Sequence, residues 1–133
     1  VSRSFQILSG STFTTPDSSS HSRRIQKAVD YMNQNFQKPI SLAEVAKLNS
    51  MTEASFSRFF KTRTGISFMD NLLEIRLGNA SRMLIDTTQS VSEIAYECGF
   101  NNISNFNRLF KKKKGCTPKE FRENYSYGSR VFI

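Results

Sequence analysis

Residues 41–70 and 90–120 carry the same pattern of helix starts, apolar positions, basic positions and terminal glycines. In the later copy, Ser90 stands three residues ahead of Glu93, a capping box in which hydroxyl and carboxylate each satisfy a free backbone N–H at a helix start. Val91, Ile94 and Ala95 give this short helix a buried side, and Cys98-Gly99-Phe100 marks its end, because glycine enters the left-handed conformation at little cost. Ile103, Phe106, Leu109 and Phe110 then recur at helical spacing and predict a second helix with one apolar face. Its opposite face holds Ser104, Asn105, Arg108, Lys111 and Lys112. Gly115 ends that helix, and Thr117-Pro118-Lys119-Glu120 opens a third with cap, first-turn proline and acid in place.

In the earlier copy Ser41 and Glu44 form the matching capping box, and Phe56, Arg58, Phe60, Lys61 and Gly65 pair with Phe106, Arg108, Phe110, Lys111 and Gly115. One residue is added in the later copy, around the turn. Caps, aromatic core positions, basic positions and terminal glycines thus recur in register, which marks a true duplication. A short helix, a turn and a second helix with an exposed polar face is the helix-turn-helix pattern, whose second helix enters the DNA major groove.

The signature I-A-x-x-x-G-F-x-x-x-S-x-F-x-R-x-F-K-x-x-x-G-x-T-P-x-x-F-R, from Ile94 to Arg122, resembles the DNA-binding domain of the AraC/XylS family of bacterial transcription regulators. Met51, Phe56-Ser57-Arg58, Phe60-Lys61, Gly65, Arg76-Leu77 and Ala80 fit the same family's first helix-turn-helix and linking helix. The resemblance implies an all-α domain of seven helices, forming two helix-turn-helix subdomains joined by a long connecting helix. It further implies a transcription factor, in most cases an activator, acting on double-stranded DNA, with RNA polymerase as the expected protein partner, while the two cysteines, read as reduced thiols, suit the cytoplasm. Similar regulators carry an effector-binding or dimerisation domain upstream, so effector control and a possible homodimer are expected to reside in a segment not included in this sequence.

The expected layout places a linker, or the remnant of an upstream domain, at residues 1–20, where serine and threonine dominate and Pro16 interrupts. The DNA-binding domain follows over 21–125, with helix-turn-helix units at about 41–63 and 90–114, a connecting helix at about 67–86 and a tail from 126 to 133. Ile25, Val29, Met32 and Phe36 predict a first helix over Arg23–Phe36 whose stripe faces the first repeat. In the connecting helix, Gly78 costs about 1 kcal/mol relative to alanine, which implies a close helix contact there. Twenty residues at about 1.5 Å rise give a rod of roughly 30 Å. One DNA turn is roughly 34 Å. The two reading helices are therefore expected to reach successive major grooves on one side of the duplex.

On the later reading helix, Arg108 has the fork geometry for guanine O6 and N7, and Asn105 that for adenine N6 and N7. Asn102 and Ser104 stand at the helix start, suited to a base edge or a phosphate. The earlier helix offers Glu53 for a cytosine amine, Ala54 for a thymine methyl, and Ser57, Arg58 and Lys61. Arg58 and Arg108 recur at equivalent places, so a phosphate-clamping or structural role competes with base reading at both. Lys111 to Lys114 both favour the helix dipole and attract phosphate.

The formal net charge of +8 points to an acidic partner, either nucleic acid or an anionic membrane. No apolar run approaches the roughly 20 residues of a membrane span, so a membrane role is not expected. With 38% hydrophobic residues and 12 phenylalanines in 133 residues, one domain can bury a real core. Two cysteines, Cys98 and Cys116, suit neither a zinc cluster nor a CxxC redox pair. The single histidine, His21, cannot assemble a Ser/His pair or a metal site, and no glycine-rich phosphate loop occurs. Neither enzymatic activity nor a metal or other cofactor is expected. Two rival readings are a non-specific basic nucleic-acid binder and a helical protein-interaction module.

Overall fold

The computed structural model describes residues 16–127, and every regular element among them is helical. α1 runs Pro16–Asn35, α2 Leu42–Leu48, α3 Glu53–Thr64, α4 Phe68–Asp86, α5 Val91–Glu97, α6 Ile103–Lys114 and α7 Pro118–Arg122, with a π-helical turn at Glu123–Tyr127. This is the all-α, seven-helix order that the family resemblance implies.

Local chemistry sets the boundaries. Ser41, Ser90 and Thr117 each close a full capping box with Glu44, Glu93 and Glu120. At α7 the Thr117 backbone N–H, and then its hydroxyl, hold the Glu120 carboxyl below its usual range. α3 and α6 start on Thr52 and Asn102, whose side chains accept from the N–H of Ser55 and Asn105, and both end on a left-handed glycine, Gly65 at φ 87° and Gly115 at φ 85°. α1 begins at Pro16, earlier than its apolar stripe predicts, so the serine-rich tract read as linker is helical from residue 16 onward. Proline suits the first turn because its fixed φ and missing N–H cost nothing there. The rest of that linker and the tail beyond Tyr127 lie outside the described residues.

The described residues divide into two compact units, one holding those up to Gln34 together with Ile40–Phe68, the other Asn35–Pro39 and those from Met69 onward. In the first, Ala28, Met32, Ile40, Val45, Ala46, Phe56, Phe60 and Phe68 are buried. Phe56, Phe60 and Phe68 form a triangle with ring centroids 5.7–5.8 Å apart. Each such ring contributes roughly 1.5–3 kcal/mol by leaving water. His21 sits in α1 with its ring edge-on to Phe59 at 5.2 Å and its Nδ1 accepting from Arg63.

The second core gathers Leu77, Ala80, Leu84, Ile94, Ala95, Cys98, Phe100, Phe106 and Phe110, with Phe36, Leu73 and Phe121 packed against it. Phe36 therefore departs from the expected stripe: α1 ends at Asn35, and the chain beyond carries this ring into the second unit. Two arginines fasten the same unit through main-chain carbonyls. Arg76 donates to Phe36 and Lys38, and Arg122 to Leu84 at 2.9 Å and Thr87 at 3.1 Å, where the last carbonyls of α4 lack helical partners. Gly78 does not mark a close contact, since a Cβ built there meets nothing within 4 Å.

The two turns solve one problem with different residues. In the later unit Gly99 takes φ 97°, and a Cβ there would lie 2.3 Å from the Phe36 carbonyl oxygen, so only glycine fits. The equivalent place in the earlier unit is Ser50, at φ 55°. Beside it Asn49 replaces Cys98, buried, with Nδ2 reaching the carbonyls of Arg24 and Val45 at 3.4 and 3.5 Å and Oδ1 without a partner among the described residues.

Candidate nucleic-acid interface

α6 shows how the fold prepares a reading face. Phe106 and Phe110 are wholly buried, with rings 5.7 Å apart, while Phe100 beneath the turn lies 4.8 Å from Phe106. Fixing these rings fixes the rotation of α6 about its axis. Ser104, Asn105, Arg108, Lys111 and Lys112 are consequently all exposed, together with Asn107. At 3.6 residues per turn the five sequence candidates share an arc of roughly 120° on one side of the helix. All four lysines of the last turn are exposed, including Lys113, whose place on the wheel is on the apolar side.

Asn102, exposed at the start of α6, is engaged through its oxygen. Its Oδ1 accepts the Asn105 N–H at 2.8 Å, so the carboxamide oxygen serves as the N-cap. Asn105 is also engaged: its Oδ1 accepts from Arg108 Nη2 at 2.6 Å. The residues from which independent contacts were expected thus form a hydrogen-bonded series along the exposed face.

α3 is turned in its own unit in the same way. Phe56 and Phe60 are wholly buried, while Glu53, Ala54, Arg58 and Lys61 are exposed and Ser57 is half-buried. Ser57 pairs with Asn107 by the register that aligns Phe56 with Phe106, which places it at the edge of the face. The same register sets Ser55 and Thr62 opposite Asn105 and Lys112, two positions the sequence reading passed over although the repeat already pointed to them.

The remaining chemistry is structural. Cys98 is fully buried, its Sγ 3.6 Å from Met83 Sδ, and desolvation together with the neighbouring Glu97 carboxylate pushes its thiol up to about 11. A thiol so disfavoured as thiolate is neither a nucleophile nor a metal ligand at neutral pH. Among the described residues, no three metal-binding side chains come together, and no helix is long and apolar enough to cross a membrane.

Comparison with known proteins agrees with this geometry. A family model described as a helix-turn-helix domain matches residues 45–124. The chain is 33% identical over 106 residues to the lactose operon transcription activator of Staphylococcus xylosus, a match covering 80% of this chain and 38% of that protein. Among solved structures, the C-terminal domain of AraT, a response regulator from Geobacillus stearothermophilus, superposes with a TM-score of 0.74 at 29% identity, covering 77% of this chain and 86% of that one. The DNA-binding domain of AdpA, a global transcriptional factor solved in complex with a target DNA, gives a TM-score of 0.72 at 25% identity over 76% of this chain and 91% of its own. Repeat, fold and relatives together show that the chain belongs to the AraC/XylS family of helix-turn-helix transcription regulators, of which it carries the DNA-binding domain.

Proposed function

We propose that this domain reads double-stranded DNA through α3 and α6, each laid in a major groove, and thereby regulates bacterial transcription as an activator. The observation that carries the reading is the orientation of α6: Phe106 and Phe110 are wholly buried while Ser104, Asn105, Arg108, Lys111 and Lys112 are all exposed. Arg108, hydrogen-bonded to Asn105, supplies base-edge chemistry and Ser104 a small donor and acceptor beside it. Lys111 and Lys112 neutralise phosphates, and the Asn102 cap orients the start of the helix. On α3, Glu53, Ala54, Ser57, Arg58 and Lys61 take the matching roles.

Two readers on one chain call for a site with two blocks of specified base pairs. In this reading the bound domain positions RNA polymerase, while response to an effector and pairing of two copies belong to sequence outside the helix-turn-helix domain. The chain spans 38% of the length of its S. xylosus relative, which leaves room in such proteins for those functions.

The test is a contrast between two substitutions. Arg108→Ala weakens binding to a selected duplex by about 1–3 kcal/mol and random duplex by less. Lys112→Ala weakens both about equally and lowers the salt slope by about 0.9. Equal loss on specific and random DNA for Arg108→Ala assigns it to phosphate and removes the base-reading role.

A further inference from the structure

We infer that Asn105 is a positioning residue that aims Arg108 at a guanine, rather than an independent reader of adenine. The inference rests on α6 being a major-groove reader and adds a division of labour within it. Arg108 Nη2 lies 2.6 Å from Asn105 Oδ1 on the exposed face of α6. A guanidinium carries only donors, so the Asn105 atom facing it is the carboxamide oxygen. Because the donor is charged, this bond is of the shorter and stronger kind. The Asn105 backbone is itself fixed, since its N–H caps onto Asn102 Oδ1 at 2.8 Å. The series Asn102, Asn105, Arg108 therefore leads from a main-chain anchor at the helix start to a guanidinium at its centre.

Two consequences follow for recognition. A bidentate asparagine contact to adenine uses Oδ1 to accept from N6 and Nδ2 to donate to N7. With Oδ1 accepting from Arg108, the carboxamide is oriented by the guanidinium and one of the oxygen's two lone pairs is engaged, so the oxygen half of that contact competes with the Arg108 bond. Arg108 gains what Asn105 gives up. An unbound arginine samples many rotamers and must be ordered on binding, and a partner already holding one Nη reduces that loss while other N–H groups remain for guanine O6 and N7. In α3 the place of Asn105 is taken by Ser55, which has no carboxamide to offer Arg58, so the two arginines are not equivalent as readers.

The experiment is a double-mutant cycle read as discrimination, that is, affinity for a selected duplex over the same duplex with the guanine facing Arg108 replaced. Arg108→Ala is expected to lower discrimination by about 5- to 150-fold. Asn105→Ala is expected to lower it severalfold in the parent protein and by less than twofold when Arg108 is already alanine. Asn105→Asp keeps an oxygen acceptor but loses the NH2 donor that adenine N7 needs, so it retains discrimination while weakening all DNA through added negative charge. Independent losses at the two positions, or loss of discrimination at a separate adenine in Asn105→Asp, overturn the inference and leave base reading by α6 intact. An Arg108→Ala protein that loses selected and random duplex equally overturns the underlying reading itself. All three side-chain changes lie on the exposed face, and circular dichroism of each variant confirms that the helices are retained.

Discussion

The Arg76 guanidinium donates from Nε to the Phe36 carbonyl at 2.9 Å, tying the chain just beyond α1 to the middle of α4. Its Nη2 reaches the Lys38 carbonyl at 2.8 Å, so one side chain satisfies two main-chain acceptors of the connection. Burial lowers the Arg76 pKa. Arg76→Ala is expected to destabilise the protein by about 2–3 kcal/mol, as for loss of charged hydrogen bonds, one of which leaves the partly buried Phe36 carbonyl without its donor. Arg76→Lys keeps the charge but not the fork and recovers only part of this, as urea denaturation will show.

The turn residues Ser50 and Gly99 should respond in opposite directions. Gly99→Ala drives a Cβ to 2.3 Å from a main-chain oxygen at a positive φ, which predicts a loss of about 3 kcal/mol or more. Ser50→Gly relieves a left-handed conformation that costs a non-glycine residue about 1–2 kcal/mol. Glycine gives back about 0.5–1 kcal/mol through its freedom in the unfolded chain. The net expectation is a gain of about 0.5–1 kcal/mol, measured by thermal and urea unfolding of the single variants.

Gly78 lies inside α4 with open space where a Cβ would go. Gly78→Ala is therefore expected to stabilise by about 0.8–1 kcal/mol through helix propensity alone. A loss of stability in the unfolding curve would mean that the glycine serves a contact after all.

Cys98 links stability to alkaline pH. Its folded-state thiol is raised from 9.0 to about 11, so the neutral form is favoured in the folded protein. Its contribution is complete below pH 9.0 and is lost progressively as pH rises through the folded value near 11. The expected result is that stability falls more steeply above pH 9 in the parent than in Cys98→Ala, and that at pH 8 the buried Cys98 reacts with thiol reagents only after unfolding while half-buried Cys116 reacts in the folded state.

Much of this architecture was legible in the sequence because it depends on local chemistry. Serine or threonine three residues before glutamate, glycine after the last basic turn, and phenylalanine at helical spacing each fix an element with little help from the rest of the chain. The orientation of α6 followed from the same pattern, since Phe106 and Phe110 could only turn inward. What escaped were matters of side-chain reach. Phe36 continues the α1 stripe on paper but joins the other core because the helix stops one residue earlier. Gly78 reads as a packing notch although nothing approaches it. The hydrogen bonds that Asn102 and Asn105 make within α6, one capping the helix and the other to Arg108, were not read from the sequence. A spacing of three along a helix allows such pairs without specifying which will form.

Binding-site selection from a random duplex library, carried out at two salt concentrations, tests the account most directly. Enrichment of a motif with two blocks of specified base pairs, whose preference over random DNA survives the higher salt while overall affinity falls, is the expected result. Binding without enrichment that vanishes as salt rises, or no binding to duplex DNA at low salt, would contradict it.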